Sequence, residues 1–216
     1  MLITSLAAAA LATSLAAAAS TPSPLPPLVI TVTEMTDMPA RLVPRVLEEA
    51  NAIWNSVGVT FVWRRVAPQA AARMDQVPAA TPLRIIIGTA RGTARENRIP
   101  LGWIQFDDDG PAREIYVSYR NAVEYLKASE LTVGIATQMT ILEREIYLAR
   151  AMGRALAHEL GHYLLASKEH TRRGLMQATH TASDFFDPQR RAFGIDVAQR
   201  QFVAARLRQD GIVVSR

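Results

Sequence analysis

A chain of 216 residues with 49% hydrophobic content is long enough to bury a sizeable core in one domain and is not disordered overall. It has no cysteine, which excludes disulfides, thiolate metal sites, thiol lipid anchors and a cysteine nucleophile. The net charge of +4 comes mostly from arginines spread between Arg41 and Arg216, with neither a basic stripe nor an aromatic-rich binding motif, so no nucleic-acid partner is expected.

Met1 to Ala19 carries no charged side chain and is mostly alanine and leucine. This pattern predicts a signal peptide over residues 1–19, with small residues at Ala17 and Ala19 before the cut, followed by a proline-rich segment over 20–27. The functional domain is then 28–216, in a secreted or periplasmic protein that is free of the membrane after cleavage. No lysine or arginine precedes the apolar run, so an uncleaved anchor is the alternative.

The β-branched run Leu28 to Thr33 predicts a first strand. From about Arg41, apolar residues at Val43, Val46, Leu47, Ala50, Ile53, Trp54 and Val57 recur at helical spacing, with Pro44 in the first turn and Gly58 as the stop. Val59 to Trp63 reads as a second strand, and residues 67–81 as a surface connection with one helical turn. Leu83 to Gly88 reads as a central strand whose two faces both want burial. Leu101 to Phe106 and Glu114 to Tyr119 are two further strands. The aspartates at 107–109 between them lack calcium-loop spacing and read as a polar turn closed by Gly110.

Thr140 and Glu143 form a capping-box signature ahead of Leu148, Met152, Leu156, Leu160 and Leu164, a stripe repeating every turn. The expected helix runs from Ile141 to Ala166 unless Gly153 breaks it. Gly161 is a poor helix former, which implies that something packs too closely there for a side chain. Asp196 and Gln199 cap a last helix carrying Val203 and Leu207. No internal repeat is present, and the reading is one α+β domain.

Near the end of the long helix stands His158-Glu159-Leu160-Gly161-His162. Two histidines one turn apart converge on one metal ion, and the glutamate beside the first reaches a water on that ion. All four histidines of the chain, His158, His162, His170 and His180, fall in this one region. A catalytic zinc takes three protein ligands and keeps one open position. His158 and His162 supply two, and Glu159 supplies a general base. The third ligand comes from beyond the helix, and His170 is the nearest histidine. Asp184, Asp187, Glu169 and His180 are the other candidates, whereas Lys168 is an ammonium that must lose its proton to bind.

These residues resemble the metzincin zinc peptidases, whose signature is the HExxH helix, a third histidine and a turn bearing a methionine. The matching positions are His158, Glu159, His162, His170 and Gly174-Leu175-Met176. The resemblance implies a single zincin-like domain with a twisted mixed sheet, a long active-site helix and a C-terminal helix. It implies one catalytic Zn2+ on His158, His162 and His170, Glu159 as catalytic base, and Met176 in a structural turn beneath the metal. It also implies that Leu101, Gly102, Trp103 and Ile104 form the edge strand that aligns a peptide substrate. The expected activity is that of a zinc metalloendopeptidase acting on peptides or proteins as a monomer. Leu165 and Lys168 occupy the positions where that signature carries a glycine and its third histidine, so the helix must end differently here. Gln177 stands where some members place a tyrosine. The alternatives are a zincin of another clan with an Asp or Glu third ligand, or a non-catalytic zinc-binding interaction domain. Arg172 and Arg173, beside the site, are candidates for favouring acidic peptides.

Overall fold

The computed structural model describes residues 25–34, 38–67, 83–92 and 100–209. The signal-peptide stretch and nearly all of the connection expected at 67–81 lie outside them. Five strands form one sheet in the order β2-β1-β3-β5-β4: β1 Leu28–Glu34, β2 Phe61–Val66, β3 Arg84–Gly88, β4 Gly102–Asp107 and β5 Gly110–Ser118. The pairings of β1 with β2, β1 with β3, and β3 with β5 are parallel. Only β4, at the edge, runs antiparallel to its neighbour. The sheet is mixed, as expected, with three parallel pairings and one antiparallel one.

Register explains the core. Val32 pairs with Ile85 and Ile85 with Ile115, while Ile87 pairs with Val117, so these side chains share one face and are essentially fully buried. On the other face Arg84 and Ile86 keep partial exposure, which corrects the expectation that β3 is buried on both sides. That face carries the Trp103–Tyr116 stack, with ring centroids 4.5 Å apart.

Helix α1, Leu42–Asn55, has Pro44 in its first turn and buries the predicted apolar stripe from Val43 to Trp54, while Val57 lies past its end and is half-buried. The second strand begins later than expected because the amides of Val57 and Val59 bond back to the Trp54 carbonyl and Gly58 turns the chain at φ +82. In the β4–β5 hairpin, Asp107 pairs with Gly110 and its carboxylate accepts from the Asp109 amide at 3.0 Å, so the aspartates make a turn and β5 starts early. Tyr119, expected in that strand, opens a helix that the sequence reading missed. Ser118 caps this α2, Tyr119–Ala128, by accepting from the Asn121 amide. A single turn, α3 Glu130–Val133, follows.

The long helix, α4, runs Ile141–Leu165 without a break, and its Thr140/Glu143 capping box is formed. Gly153 does not interrupt it. A Cβ there would lie 2.5 Å from Glu49 Cβ and 2.8 Å from the Val46 carbonyl oxygen, so the glycine lets α1 cross α4 closely. Beyond the crossing, Trp54 Nε1 donates to the Ala157 carbonyl at 3.0 Å, fixing α1 against the turn that carries His158. α4 ends at Ala166, a left-handed residue at φ 48. Short α5, Ala182–Phe186, and C-terminal α6, Val197–Gln209, complete the fold. Asp196 caps α6 by accepting from the Gln199 amide at 2.8 Å, and Val203 and Leu207 are buried as predicted. Arg206 on α6 donates to the Tyr163 and Leu164 carbonyls, covering the open end of α4. Among the described residues no helix is long and apolar enough to cross a membrane.

Candidate metal centre

His158 and His162 lie one turn apart on α4, and His170 comes from the loop beyond the Ala166 cap. One ligand atom from each of the three lies within 4.8 Å of the others, and no other such group of histidine or carboxylate side chains occurs among the described residues. Nε2 of His158 and Nε2 of His162 are 3.0 Å apart. Two ligands at about 2.0–2.1 Å from a tetrahedral zinc stand roughly 3.3 Å from each other, so this pair is already at ligand spacing. His170 is the exposed member and the one with room to adjust.

The opposite ring nitrogens are committed to carbonyls. Nδ1 of His158 meets the Leu175 oxygen at 2.8 Å, and Nδ1 of His162 meets the Ser167 oxygen at 2.7 Å. A carbonyl only accepts, so each Nδ1 carries the proton and each Nε2 presents a lone pair. Two lone pairs then face one another at 3.0 Å, an arrangement that a cation relieves. Burial, followed by the neighbouring His162, draws the His158 pKa down to about 3, and burial lowers that of His162 against the pull of the Ser167 carbonyl. His158 and His162 thus resist protonation while offering neutral nitrogen donors, the donor type that zinc takes.

The turn after His170 holds these groups in place. The Thr171 amide donates to the Met176 carbonyl at 2.8 Å, and the Leu175 amide donates to the Gly194 carbonyl at 2.8 Å. Gly174 sits at φ +82, with Gly194 so close that a Cβ would meet its oxygen at 2.5 Å. Met176 is buried beneath the ligand helix. A Cβ on Gly161 would fall 2.2 Å from Met176 Sδ, so the residue that excludes a side chain between the two histidines is this methionine.

Glu159 faces the edge strand. A Cβ on Gly102 would stand 3.1 Å from Glu159 Cγ, and burial pushes the Glu159 carboxyl up to about 8, opposed by a hydrogen bond with the Ile104 backbone. Within the proposed edge stretch, Gly102, Trp103 and Ile104 belong to β4. Leu101 precedes it but still accepts from the Ser118 amide at 2.8 Å. Farther along β4, Phe106 meets the His162 ring edge-on at 6.2 Å, with Lys168 Nζ 6.0 Å from Phe106.

Three of the rival third ligands are engaged elsewhere. Asp184 accepts from the Thr181 amide and hydroxyl at 2.8 Å, and Asp187 accepts from the Gln189 amide at 2.6 Å. His180 packs against Phe193.

A clamp behind the site escaped the sequence reading. Arg154, one turn before His158 and fully buried, donates from Nε to Glu49 at 2.9 Å and from Nη2 to the carbonyls of Asp187 and Gln189 at 2.7 and 3.0 Å. Its Nη1 donates to the Asp184 carbonyl. Arg190 takes the other oxygen of Glu49. The available signal was Arg154 in the otherwise apolar run from Ala151 to Ala157, opposite a glutamate on the apolar face of α1.

No protein-family model matches the chain, and no curated protein sequence is similar to it. Among solved structures it is similar to archaemetzincin from Methanopyrus kandleri, at 15% identity and a TM-score of 0.47, over 85% of this chain and 97% of that one. A likeness of that size leaves the activity to be read from the site itself.

Proposed function

We propose that this chain is a zinc-dependent endopeptidase of metzincin-like design, active as a monomer and exported to the periplasm or the cell exterior. The observation that carries the reading is the convergence of His158, His162 and His170 with Glu159 packed against the open edge of β4. His158, His162 and His170 would hold one zinc ion. When bound, the ion supplies Lewis acidity toward a water and toward the carbonyl under attack.

The chain's own groups do the rest. Glu159 accepts the proton of the attacking water and returns it to the leaving amine. Its carboxyl, pushed up to about 8 in the metal-free site, is drawn back toward the ionised form by a neighbouring cation. Leu175 and Ser167 keep the two helix histidines in the donor tautomer. β4 ends the sheet, so its outer edge is available to pair with an extended peptide, which then passes Glu159 near Gly102 and His162 near Phe106. A purely structural zinc site has no use for a buried glutamate beside its ligands, and this favours the peptidase over a non-catalytic zinc module. Export rests on the uncharged run from Met1 to Ala19.

The test is Glu159→Gln, with zinc content and hydrolysis of a mixed peptide pool measured on the same sample. Zinc stays bound and hydrolysis falls by at least about a hundredfold, in line with loss of a general base. Near-normal turnover in that variant overturns the mechanism.

A further inference from the structure

The strand that would receive the substrate, β4, pairs with β5 alone, and a strand held on one side opens more readily than an interior one. Its start is tied down by a residue with no part in the site so far. Asn121, in the first turn of α2, is fully buried, and its Nδ2 donates to the Arg91 and Pro100 carbonyls, each at 2.7 Å. Both partners only accept, so the hydrogen-bond network assigns Nδ2 and not Oδ1 to them. Oδ1 is shut off from water with no partner among the described residues. An unpaired buried oxygen is unfavourable, so the favourable contribution of this side chain lies in its two N–H groups.

Each of the two carbonyls leads to β4. From Pro100 the chain passes through Leu101, whose carbonyl accepts from the Ser118 amide at 2.8 Å, to Gly102. There a Cβ would stand 3.1 Å from Glu159 Cγ and 3.1 Å from the Tyr116 carbonyl oxygen, so β4 begins in close contact with Glu159. From Arg91 the chain passes to Gly92, at φ +64, where a Cβ would fall 2.8 Å from Cζ3 and 2.9 Å from Cε3 of Trp103. Trp103, the second residue of β4, is also stacked on Tyr116, whose hydroxyl accepts from the Ala90 amide at 3.4 Å. One buried amide thus holds both the backbone entering β4 and the backbone packed on its first large side chain.

We infer that Asn121 is a positioning residue for substrate binding: by holding Arg91 and Pro100 it fixes the start of β4, and with it the edge on which an extended peptide pairs beside Glu159. This rests on the peptidase reading above. Pairing along β4 is made alike by the bound substrate and by the transition state, so loosening it raises KM and leaves kcat nearly unchanged.

The test uses one peptide that wild type cleaves, and compares wild type, Asn121→Ala and Gly92→Ala in hydrolysis kinetics, in zinc affinity by chelator competition and in urea unfolding. Asn121→Ala removes both donors. Gly92→Ala leaves Asn121 in place and pushes the Arg91 side off Trp103 from an exposed position, so it carries the test if the buried variant does not fold. In Asn121→Ala, KM rises about tenfold, the equivalent of one to two peptide hydrogen bonds to β4, while kcat and zinc affinity stay within about twofold. Gly92→Ala raises KM in the same direction. A purely structural role lowers the urea midpoint of Asn121→Ala and leaves the kinetics of the folded protein unmoved. KM within about twofold of wild type in folded Asn121→Ala, or in Gly92→Ala where the former does not fold, overturns the inference. So does zinc affinity that falls in step with activity, since the effect then lies at the metal centre. Wild type that binds zinc and cleaves no peptide overturns the peptidase reading, and the inference falls with it. Wild-type cleavage with an unmoved KM in the variants leaves that reading standing and removes only the role of Asn121.

Discussion

Gly161→Ala adds a single methyl group between the two helix histidines. On propensity alone it would stabilise α4 by about 1 kcal/mol. The structure predicts the opposite sign, because the new Cβ would stand 2.2 Å from Met176 Sδ and 3.2 Å from its Cε, where about 3.5–4.0 Å is the comfortable separation. The sulfur must retreat by more than about 1 Å, and Met176 is only 1% exposed, with Trp54 Cζ2 at 3.5 Å from the same added atom. A clash of more than about 1 Å on a buried sulfur falls in the upper part of the about 1–3 kcal/mol that overpacking costs, so the net change is a loss of roughly 1–2 kcal/mol after the propensity gain. Urea unfolding of the metal-free variant measures it. A double-mutant cycle with Met176→Ala assigns the cause, since removing the sulfur should abolish most of the penalty. Equal or greater stability of Gly161→Ala in the wild-type background would refute the close-packing argument.

Arg154→Met leaves Glu49 buried with only the partly exposed Arg190 and strips three carbonyls of their donor, so it should destabilise the fold by about 3 kcal/mol in denaturant titration. An unchanged midpoint would show that the clamp is dispensable. In the metal-free protein, burial lowers the pKa values of His158, His162 and His180 from 6.5 and raises that of Glu159 from 4.5 to about 8. The folded histidines bind fewer protons than the unfolded ones below 6.5, so stability falls as pH drops through that window. Folded Glu159 keeps a proton that the unfolded chain has released, so stability also declines from there up to about 8. The urea midpoint of chelator-treated protein should therefore peak near pH 6.5, and a midpoint still rising toward pH 8 would contradict these environments.

Strongly periodic or locally capped segments were legible in the sequence. The α1 stripe, the Thr140/Glu143 box, the Asp196/Gln199 cap and the central position of β3 all follow from spacing and from side chains that act on their own neighbourhood. The histidine cluster was legible because residues one turn apart on a helix must share a face. Gly161 announced a close approach but not its partner, since Met176 reaches it only through the folded turn. Three features were missed, the first through a local cap that was overlooked and the other two through tertiary contacts that local pattern does not encode. Tyr119 continued a β-branched run, yet the Ser118 cap started a helix there. Gly153 read as a weak point until Glu49 and Val46 were seen to occupy the space beside it. Arg154 went unremarked because its backbone acceptors are carbonyls of a segment thirty and more positions away.

The most direct test of the metal centre is X-ray absorption on the zinc-loaded protein, with His170→Ala alongside. The account predicts one zinc per chain with three imidazole nitrogens at about 2.0–2.1 Å and one non-imidazole oxygen, falling to two imidazoles in the variant. A wild-type spectrum with only two imidazoles, or one unchanged by His170→Ala, would contradict it.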